Sequence, residues 1–337
     1  MANKVYKVGG VFSGVGGIEL GFSDKDKFRI AWGTDFDRHA SKTYRKNFSH
    51  PFYEIDINEL NGKDLEAVDV LVGGFPCQAF SVAGYQKGFE DKRGDVFFQI
   101  IRLINELPKK PKVLLLENVK NIYTHDKKKT FRIIQESLEQ TGYCVFSKIM
   151  NTCEYTSVPQ NRERTFIFCF LGGEDTFLDS SETKSTYFHN IFPTEKKTKL
   201  RPISDFLERN AVDEKYYYRQ DKYNYNELIG SITKKNTFYQ WRRVYVRENK
   251  SGVCPTLTAN MGTGGHNVPL IKDNFGIRKI TPRECFNLQG FPKSFKLPKD
   301  VPNTQLYKQA GNSVTVDMFK QFSSIIYSYL KRMNCKS

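Results

Sequence analysis

The chain has 337 residues, with 52 Lys+Arg against 37 Asp+Glu and a formal net charge of +15, a length that suggests about two domains. Its 39% hydrophobic, 26% charged and 14% aromatic residues exclude an intrinsically disordered chain. The surplus cations favour a polyanionic partner, nucleic acid or an acidic membrane, without choosing between them.

No apolar run approaches the roughly 18 to 20 residues of a membrane span. Residues Met1 to Lys7 lack the apolar stretch and cleavage site of a secretory signal, so a cytoplasmic location is expected. The seven cysteines (Cys77, Cys144, Cys153, Cys169, Cys254, Cys285 and Cys335) are scattered, without a Cys-x-x-Cys pair. That argues against a disulfide framework and against a zinc site.

Up to about residue 172, β-branched runs alternate with amphipathic stretches, the pattern of an α/β sheet wrapped by helices. Strands are predicted at Val5 to Phe12, Ile30 to Thr34, Val68 to Gly73, Lys112 to Glu117, Cys144 to Met150 and Thr165 to Leu171. Helical spacing of Phe97, Ile100, Ile101 and Ile104 predicts a helix over Asp95 to Leu107. Phe131, Ile134 and Leu138 predict another over Lys129 to Gln140. After a Ser/Thr-rich linker from Gly173 to Thr186 the chain becomes rich in Lys, Tyr and Asn, with little regular periodicity. A final amphipathic helix, Val314 to Leu330, is expected to return to the first domain.

Candidate chemistry falls at the ends of these strands. Phe12-Ser13-Gly14-Val15-Gly16-Gly17 leads from the first strand into a helix, where glycines let a ligand approach the backbone and meet helix-start amides. Taken alone, this turn fits nucleotide-binding sheets, S-adenosylmethionine-binding sheets and ordinary tight turns. Asp35, about 20 residues on, can accept bonds from ribose hydroxyls in either cofactor class. The strand ending at Gly73 runs into Gly74-Phe75-Pro76-Cys77-Gln78-Ala79-Phe80-Ser81, which puts a thiol where open α/β sheets bind ligands. Such a cysteine is also commonly an inert buried residue. The following Val82 to Asp95, with Lys87, Lys92 and Arg93, reads as a loop able to close over a phosphate backbone. Glu117 ends the next long strand, and Arg162-Glu163-Arg164 leads into the last. Two arginines at that spacing point to one side and suit a carbonyl or a phosphate.

In order along the chain, these blocks resemble the DNA cytosine-5 methyltransferases. The resemblance runs through Phe12-Ser13-Gly14 to Gly17, Asp35, Asp56, Pro76-Cys77-Gln78 and Glu117-Asn118-Val119. It continues through Gln160-x-Arg162-x-Arg164, Arg283-Glu284-Cys285 with Gln289-Gly290-Phe291-Pro292, and Gly311-Asn312-Ser313-Val314. It covers the chain apart from the linker and most of residues 173 to 250, and it is closest to the bacterial restriction-modification type.

The resemblance implies a Rossmann-like methyltransferase sheet formed by residues 1 to 175 and 306 to 337, with a smaller, irregular target-recognition domain and hinge over 176 to 305. It implies S-adenosyl-L-methionine as cofactor, no metal, and Cys77, Glu117, Arg162 and Arg164 as the catalytic set, both arginines holding groups of the base. Cofactor contacts carried over are Phe12, Gly14, Gly16, Gly17, Asp35, Asp56, Phe75, Asn312 and Ser313. DNA contacts are Gln78, Ser81, Lys87, Lys92, Arg93, Arg242, Arg243, Thr256 and Thr258. Tyr216 to Tyr218 and Trp241 are expected mainly as the small domain's core. The expected partner is double-stranded DNA, at a short G/C-rich palindrome such as GCNGC. A cognate restriction endonuclease would act on the same site without obligatory binding, and the enzyme would be a monomer associated with the nucleoid. A nicotinamide-dependent oxidoreductase would explain the glycine turn and Asp35 but not the cysteine, glutamate and arginine blocks. The tRNA-methylating branch of the family shares those blocks but lacks a long recognition domain.

Overall fold

The computed structural model describes residues 4–76, 96–172, 191–193, 199–222, 225–242, 245–263 and 267–336. Seven strands, β1 (Tyr6–Val11), β2 (Phe28–Asp35), β3 (Phe52–Glu54), β4 (Val70–Gly74), β5 (Val113–Val119), β6 (Tyr143–Asn151) and β7 (Glu163–Leu171), form one sheet in the order β3-β2-β1-β4-β5-β7-β6. Only β7 runs antiparallel to its neighbours. All six expected strands are present, with ends shifted by a few residues. The unpredicted β3 is a three-residue edge strand whose residues stay largely exposed, so it carries no apolar alternation to read.

The helices are α1 (Gly17–Gly21), α2 (Arg38–Asn47), α3 (Val96–Glu106), α4 (Lys129–Gln140), α5 (Thr152–Tyr155), α6 (Tyr225–Ser231), α7 (Pro282–Leu288), α8 (Asn303–Asn312) and α9 (Val316–Lys336). Successive residues of the central strands feed opposite faces. Val113 and Leu115 join Val70, Val72 and Phe168 in one buried layer, against Phe319, Phe322 and Ile326 of α9. Leu114 and Leu116 join Leu71 and Ile167 in the other, against Ile100 and Ile104 of α3 and Ile134 and Leu138 of α4. The carboxyl-terminal helix thus packs onto the first sheet as its periodicity predicts. A Cβ on Gly21 of α1 would stand 2.4 Å from Phe319 Cβ, so only glycine lets the two helices approach so closely.

The later region, expected to be irregular, contains a second sheet. Strands β8 (Tyr239–Trp241), β9 (Val246–Glu248), β10 (Leu270–Lys272) and β11 (Ile277–Lys279) pair antiparallel in the order β11-β10-β8-β9. Three-residue strands are too short to show a period of two, which is why the sequence hides them. Tyr239, Trp241, Leu270 and Ile277 pack with Leu228 and Ile232, and with Tyr218 at the margin. Tyr217 and Trp241 are buried, Tyr216 borders a neighbouring cluster, and the expectation that these aromatics serve the core holds.

A buried ion pair joins this sheet to α7. Arg278 of β11 meets Glu284 of α7 with two bonds of 2.7 Å, and neither side chain is exposed. Arg278 Nε also donates to Asp273 at 2.5 Å. Glu284 in turn accepts from the main chain of Thr281 at 2.7 Å and of Glu208 at 2.8 Å, closing a capping box at the start of α7. Every lone pair in reach is used, the condition under which a buried pair is tolerated.

Candidate active site

The cofactor-type end of the site is built by the turn after β1. Phe12 adopts a left-handed backbone (φ 53°), as do Gly14 (54°) and Gly16 (87°). A phenylalanine in that region is strained and must be held there by its surroundings. Ser13 N donates to Thr34 O at 2.9 Å and Gly14 N to Asp35 Oδ2 at 2.8 Å, which ties the turn to the end of β2. The space beside Gly14 is open to at least 4 Å, whereas a Cβ on Gly17 would lie 2.6 Å from Ser313 Oγ. Phe12, the three glycines, Asp35 and Ser313 therefore surround one turn. Asn312 is exposed at the end of α8, next to Ser313.

Asp35 accepts a second bond from Asp37 N at 2.8 Å; burial raises its pKa while the two amides oppose that. Asp56 lies exposed two residues beyond β3, whose Glu54 pairs with Asp35, and its Oδ1 is bonded to Asn58. Phe36, which the sequence reading missed, follows Asp35 with 70% of its surface exposed. An apolar ring left bare beside a strand-end carboxylate is a ready stacking face for a flat ligand. The only sequence signal for it is its place directly after Asp35, and exposure is invisible at that level. Phe75 departs from its expected role: its ring is buried against Phe97, at 5.6 Å between centroids, and its carbonyl accepts from Asn118 Nδ2 at 2.9 Å. Its side chain belongs to the core, leaving only the main chain to a ligand.

The candidate catalytic residues lie across β4, β5 and β7. Gly74 pairs in register with Glu117, and a Cβ on Gly74 would stand 3.2 Å from Glu117 Oε2. Arg164 Nε lies 3.0 Å from Glu117 Oε1, both side chains being mostly buried but reachable. Cys77 lies outside the described residues, as do Gln78, Ser81, Lys87, Lys92 and Arg93; the segment that carries them leaves β4 three residues before Cys77, beside Glu117. The described cysteines are poor nucleophiles. Cys169, Cys254 and Cys285 are fully buried, with thiol pKa values pushed well up by burial, and burial raises half-buried Cys153 as well.

Arg162 differs from its neighbour two residues on. It is 3% exposed, with Nη1 donating to Leu257 O at 2.9 Å and Nη2 to the carbonyls of Gly311 and Ser313. Burial and the nearby Arg164 lower its pKa well below the usual guanidinium value, with Glu117 opposing. Both terminal nitrogens are spent on main-chain carbonyls. Gln160 extends this seam, donating to Leu288 O at 2.7 Å, and Gln289 donates to Ala310 O at 2.8 Å.

Of the expected DNA contacts, Arg242, Thr256 and Thr258 line one cleft of about 760 Å³ together with Gln240, Arg247 and Asn161; Arg243 lies outside the described residues. Arg242 is exposed and donates to Gln240 Oε1 at 3.1 Å. The Thr256 hydroxyl is spent on Asn161 O at 2.6 Å, and Thr258 bonds Asn260. Arg247 and Asn260 close the two stretches, Trp241 to Arg247 and Thr256 to Asn260, that the sequence marks as suited to a groove, whereas nothing in the sequence marks out Gln240.

The strand order, the glycine turn after β1 and the acid ending β2 define an α/β methyltransferase sheet. The C-5 cytosine-specific DNA methylase model matches residues 6–327. The chain is 47% identical over 324 residues to the Type II methyltransferase M.Bsp6I of Bacillus sp. (strain RFL6), covering 95% of this chain and 98% of that protein. It is 39% identical to the Type II methyltransferase M.SsoII of Shigella sonnei, over 97% of this chain and 82% of that protein. Among solved structures, the S. pombe Dnmt2 methyltransferase superposes with a TM-score of 0.71 at 20% identity, covering 98% of this chain and 100% of that one, which shows the shared fold. The chain belongs to the C-5 cytosine-specific DNA methylases. It is a cytosine-5 DNA methyltransferase, and its methyl donor is S-adenosylmethionine. The open turn at Gly14, the Asp35 carboxylate and the bare Phe36 ring fit that donor's glycine-approached chain, ribose and flat base. Among the described residues no helix is long and apolar enough to cross a membrane and no cluster could hold a metal ion.

Proposed function

We propose that the enzyme flips one cytosine out of a short specific duplex sequence and methylates it through a covalent bond to Cys77. The Glu117–Arg164 pair beside the end of β4 is the observation that carries this reading. Carbon 5 of cytosine is a poor nucleophile and is shielded inside the duplex, so the base must leave the stack at a cost of a few kcal/mol. Attack of the Cys77 thiolate on carbon 6 forms a sulfur–carbon bond and pushes an electron pair toward carbon 5 and ring nitrogen 3. Glu117 delivers a proton at nitrogen 3 and accepts from the exocyclic amine, while Arg164 holds the carbonyl oxygen. S-adenosylmethionine, when bound, supplies a methyl group on a sulfonium centre. Once carbon 5 carries the methyl group, nitrogen 3 returns its proton to Glu117, and transfer of the carbon 5 proton to water acting as base breaks the sulfur–carbon bond, expels Cys77 as thiolate and restores the aromatic ring.

Phe12, Phe36 and Asp35 orient the donor, with Asp56 at the adenine amine. Arg162 acts as a positioning residue, tying the turn at Gly311 to Ser313 and the segment at Leu257 to the base of β7. Residues 1 to 175 with 306 to 337 form the catalytic unit, and 176 to 305 read the site through Arg242, Arg247 and Gln240. The relatives named as Type II methyltransferases support a protective role beside a restriction endonuclease, in a bacterial cytoplasm.

Bisulfite sequencing of DNA treated with purified enzyme reports product and recognition site together. Cys77→Ala should lose methylation, and the wild type should be trapped covalently on DNA carrying 5-fluorocytosine, because fluorine cannot leave as a proton. An alanine variant that still methylates would end the nucleophile assignment.

A further inference from the structure

A denser cation lining than that of the cleft at Arg242 lies elsewhere on the protein. A groove of about 1080 Å³ runs between α2 and the segment 293–300. One wall is a single helix face presenting Lys42, Arg45 and Lys46, spaced i, i+3 and i+4. The other presents Lys293, Lys296 and Lys299, and Arg283 completes the lining, with Asp300 as its single carboxylate. The described lining of the recognition cleft holds three cations and one carboxylate.

Neutralisation within the groove is incomplete. Lys42 pairs with Asp300 at 2.9 Å and Arg45 with Glu54 at 3.7 Å. Among the described residues no carboxylate is in salt-bridge contact with Lys46, Lys293, Lys296 or Lys299, although Asp300 also feels the charge of Lys46, and all four are exposed. Yet the two walls are fixed: Asn47 Nδ2 donates to Lys296 O at 2.8 Å, and Lys296 N donates back to Asn47 Oδ1 at 2.7 Å. Arg283 is anchored as well, through Nη1 to Phe295 O at 2.6 Å and Nε to Asn287 at 3.0 Å. Holding like charges together on a braced frame costs repulsion, which a polyanion relieves.

From this geometry we infer that the groove between α2 and the 293–300 segment is a second binding site for the phosphate backbone of duplex DNA, separate from the catalytic cleft. The inference rests on the DNA-methylating reading. α2 leads into β3, at one edge of the sheet, whereas Glu117 and Arg164 stand on β5 and β7. Four strand spacings separate β3 from β5, about 19 Å at roughly 4.8 Å each. The substrate is a polymer with one charge per about 1.7 Å of axis, so DNA beyond the methylated site is available to this groove at high effective concentration. The cations contact only phosphates and carry no sequence information; their effect is to hold the enzyme on long DNA.

The test is the intact protein with Lys46, Lys293, Lys296 and Lys299 all changed to Gln. On a duplex of about 10 base pairs centred on the target, which at about 3.4 Å per pair reaches roughly 17 Å to either side and so stops short of the groove, kcat/KM should stay within about twofold, which also verifies folding. On kilobase DNA at low salt it should fall about fivefold or more, and the slope of log affinity against log salt for long non-specific duplex should drop by about 3. An unchanged slope and unchanged long-DNA kinetics would overturn the inference. So would an equal loss on the short duplex, which would make the groove part of the catalytic cleft, or a loss confined to RNA binding. A wild type inert on both duplexes would sink the methylating reading instead, while the salt slope, which needs no methylation, still decides the groove.

Discussion

The end of the large sheet and the cleft of the small one are fixed by different means. At the large sheet, Asp35, Glu117 and Arg164 sit on or at the ends of strands whose apolar residues fill two full layers, so position comes from hydrophobic packing and ladder register. In the small region the strands are three residues long, and placement depends on the Arg278–Glu284 pair and on the seam through Arg162, Gln160 and Gln289. The first arrangement lets a polar group at a strand end change without unfolding anything. In the second, the polar groups are themselves the joint.

That contrast can be broken experimentally. Glu117→Gln keeps size and removes the proposed proton donor, so activity should fall about 10²- to 10⁴-fold with little change in Tm; methylation assays and thermal melts on one preparation check both. A large drop in Tm would show that the pair with Arg164 is structural. Glu284→Gln should do the reverse in stability, costing on the order of 3 kcal/mol because fully buried Arg278 then keeps only Asp273 as a counter-charge, as denaturant titration would read. Retention of wild-type stability would mean the joint is carried elsewhere.

A smaller effect of opposite sign is expected at Glu19. Its carboxyl is fully buried beside Gly10, and burial raises its pKa from 4.5 to about 7, with the hydroxyls of Ser13 and Tyr44 opposing the rise. The folded state therefore holds a proton that the unfolded state has released between about pH 4.5 and 7. Stability from this residue falls as pH rises through that window, and the penalty is complete above it. Glu19→Gln should gain on the order of 2 kcal/mol at pH 8 and almost nothing at pH 4, read as the difference in Tm between the two. A gain independent of pH would place its cause outside the carboxyl.

The order of motifs made the large sheet legible, because each chemical block follows a strand long enough to show its apolar pattern. Asp35, Glu117 and Arg164 could be placed at the sheet's binding end in this way. Arg162 could not: the two-residue spacing puts it on the same side as Arg164, but Leu257, Gly311 and Ser313, which take up its guanidinium, lie 95 to 151 positions away. The core role of Phe75 and the exposure of Phe36 were equally hidden, since both depend on what neighbouring elements cover.

By itself, then, the sequence determined the sheet, the cofactor turn and the residues able to do chemistry, because these depend on local periodicity and on side-chain types at strand ends. Tertiary structure decided which of two neighbouring arginines faces Glu117 and which braces the chain. It also brought Arg242, Arg247 and Thr256 together in one cleft beside the short strands. Finally, it joined Lys42, Arg45 and Lys46 to lysines some 250 positions away in one braced cationic groove. Such outcomes turn on burial and on partners distant in sequence, and no local pattern encodes them.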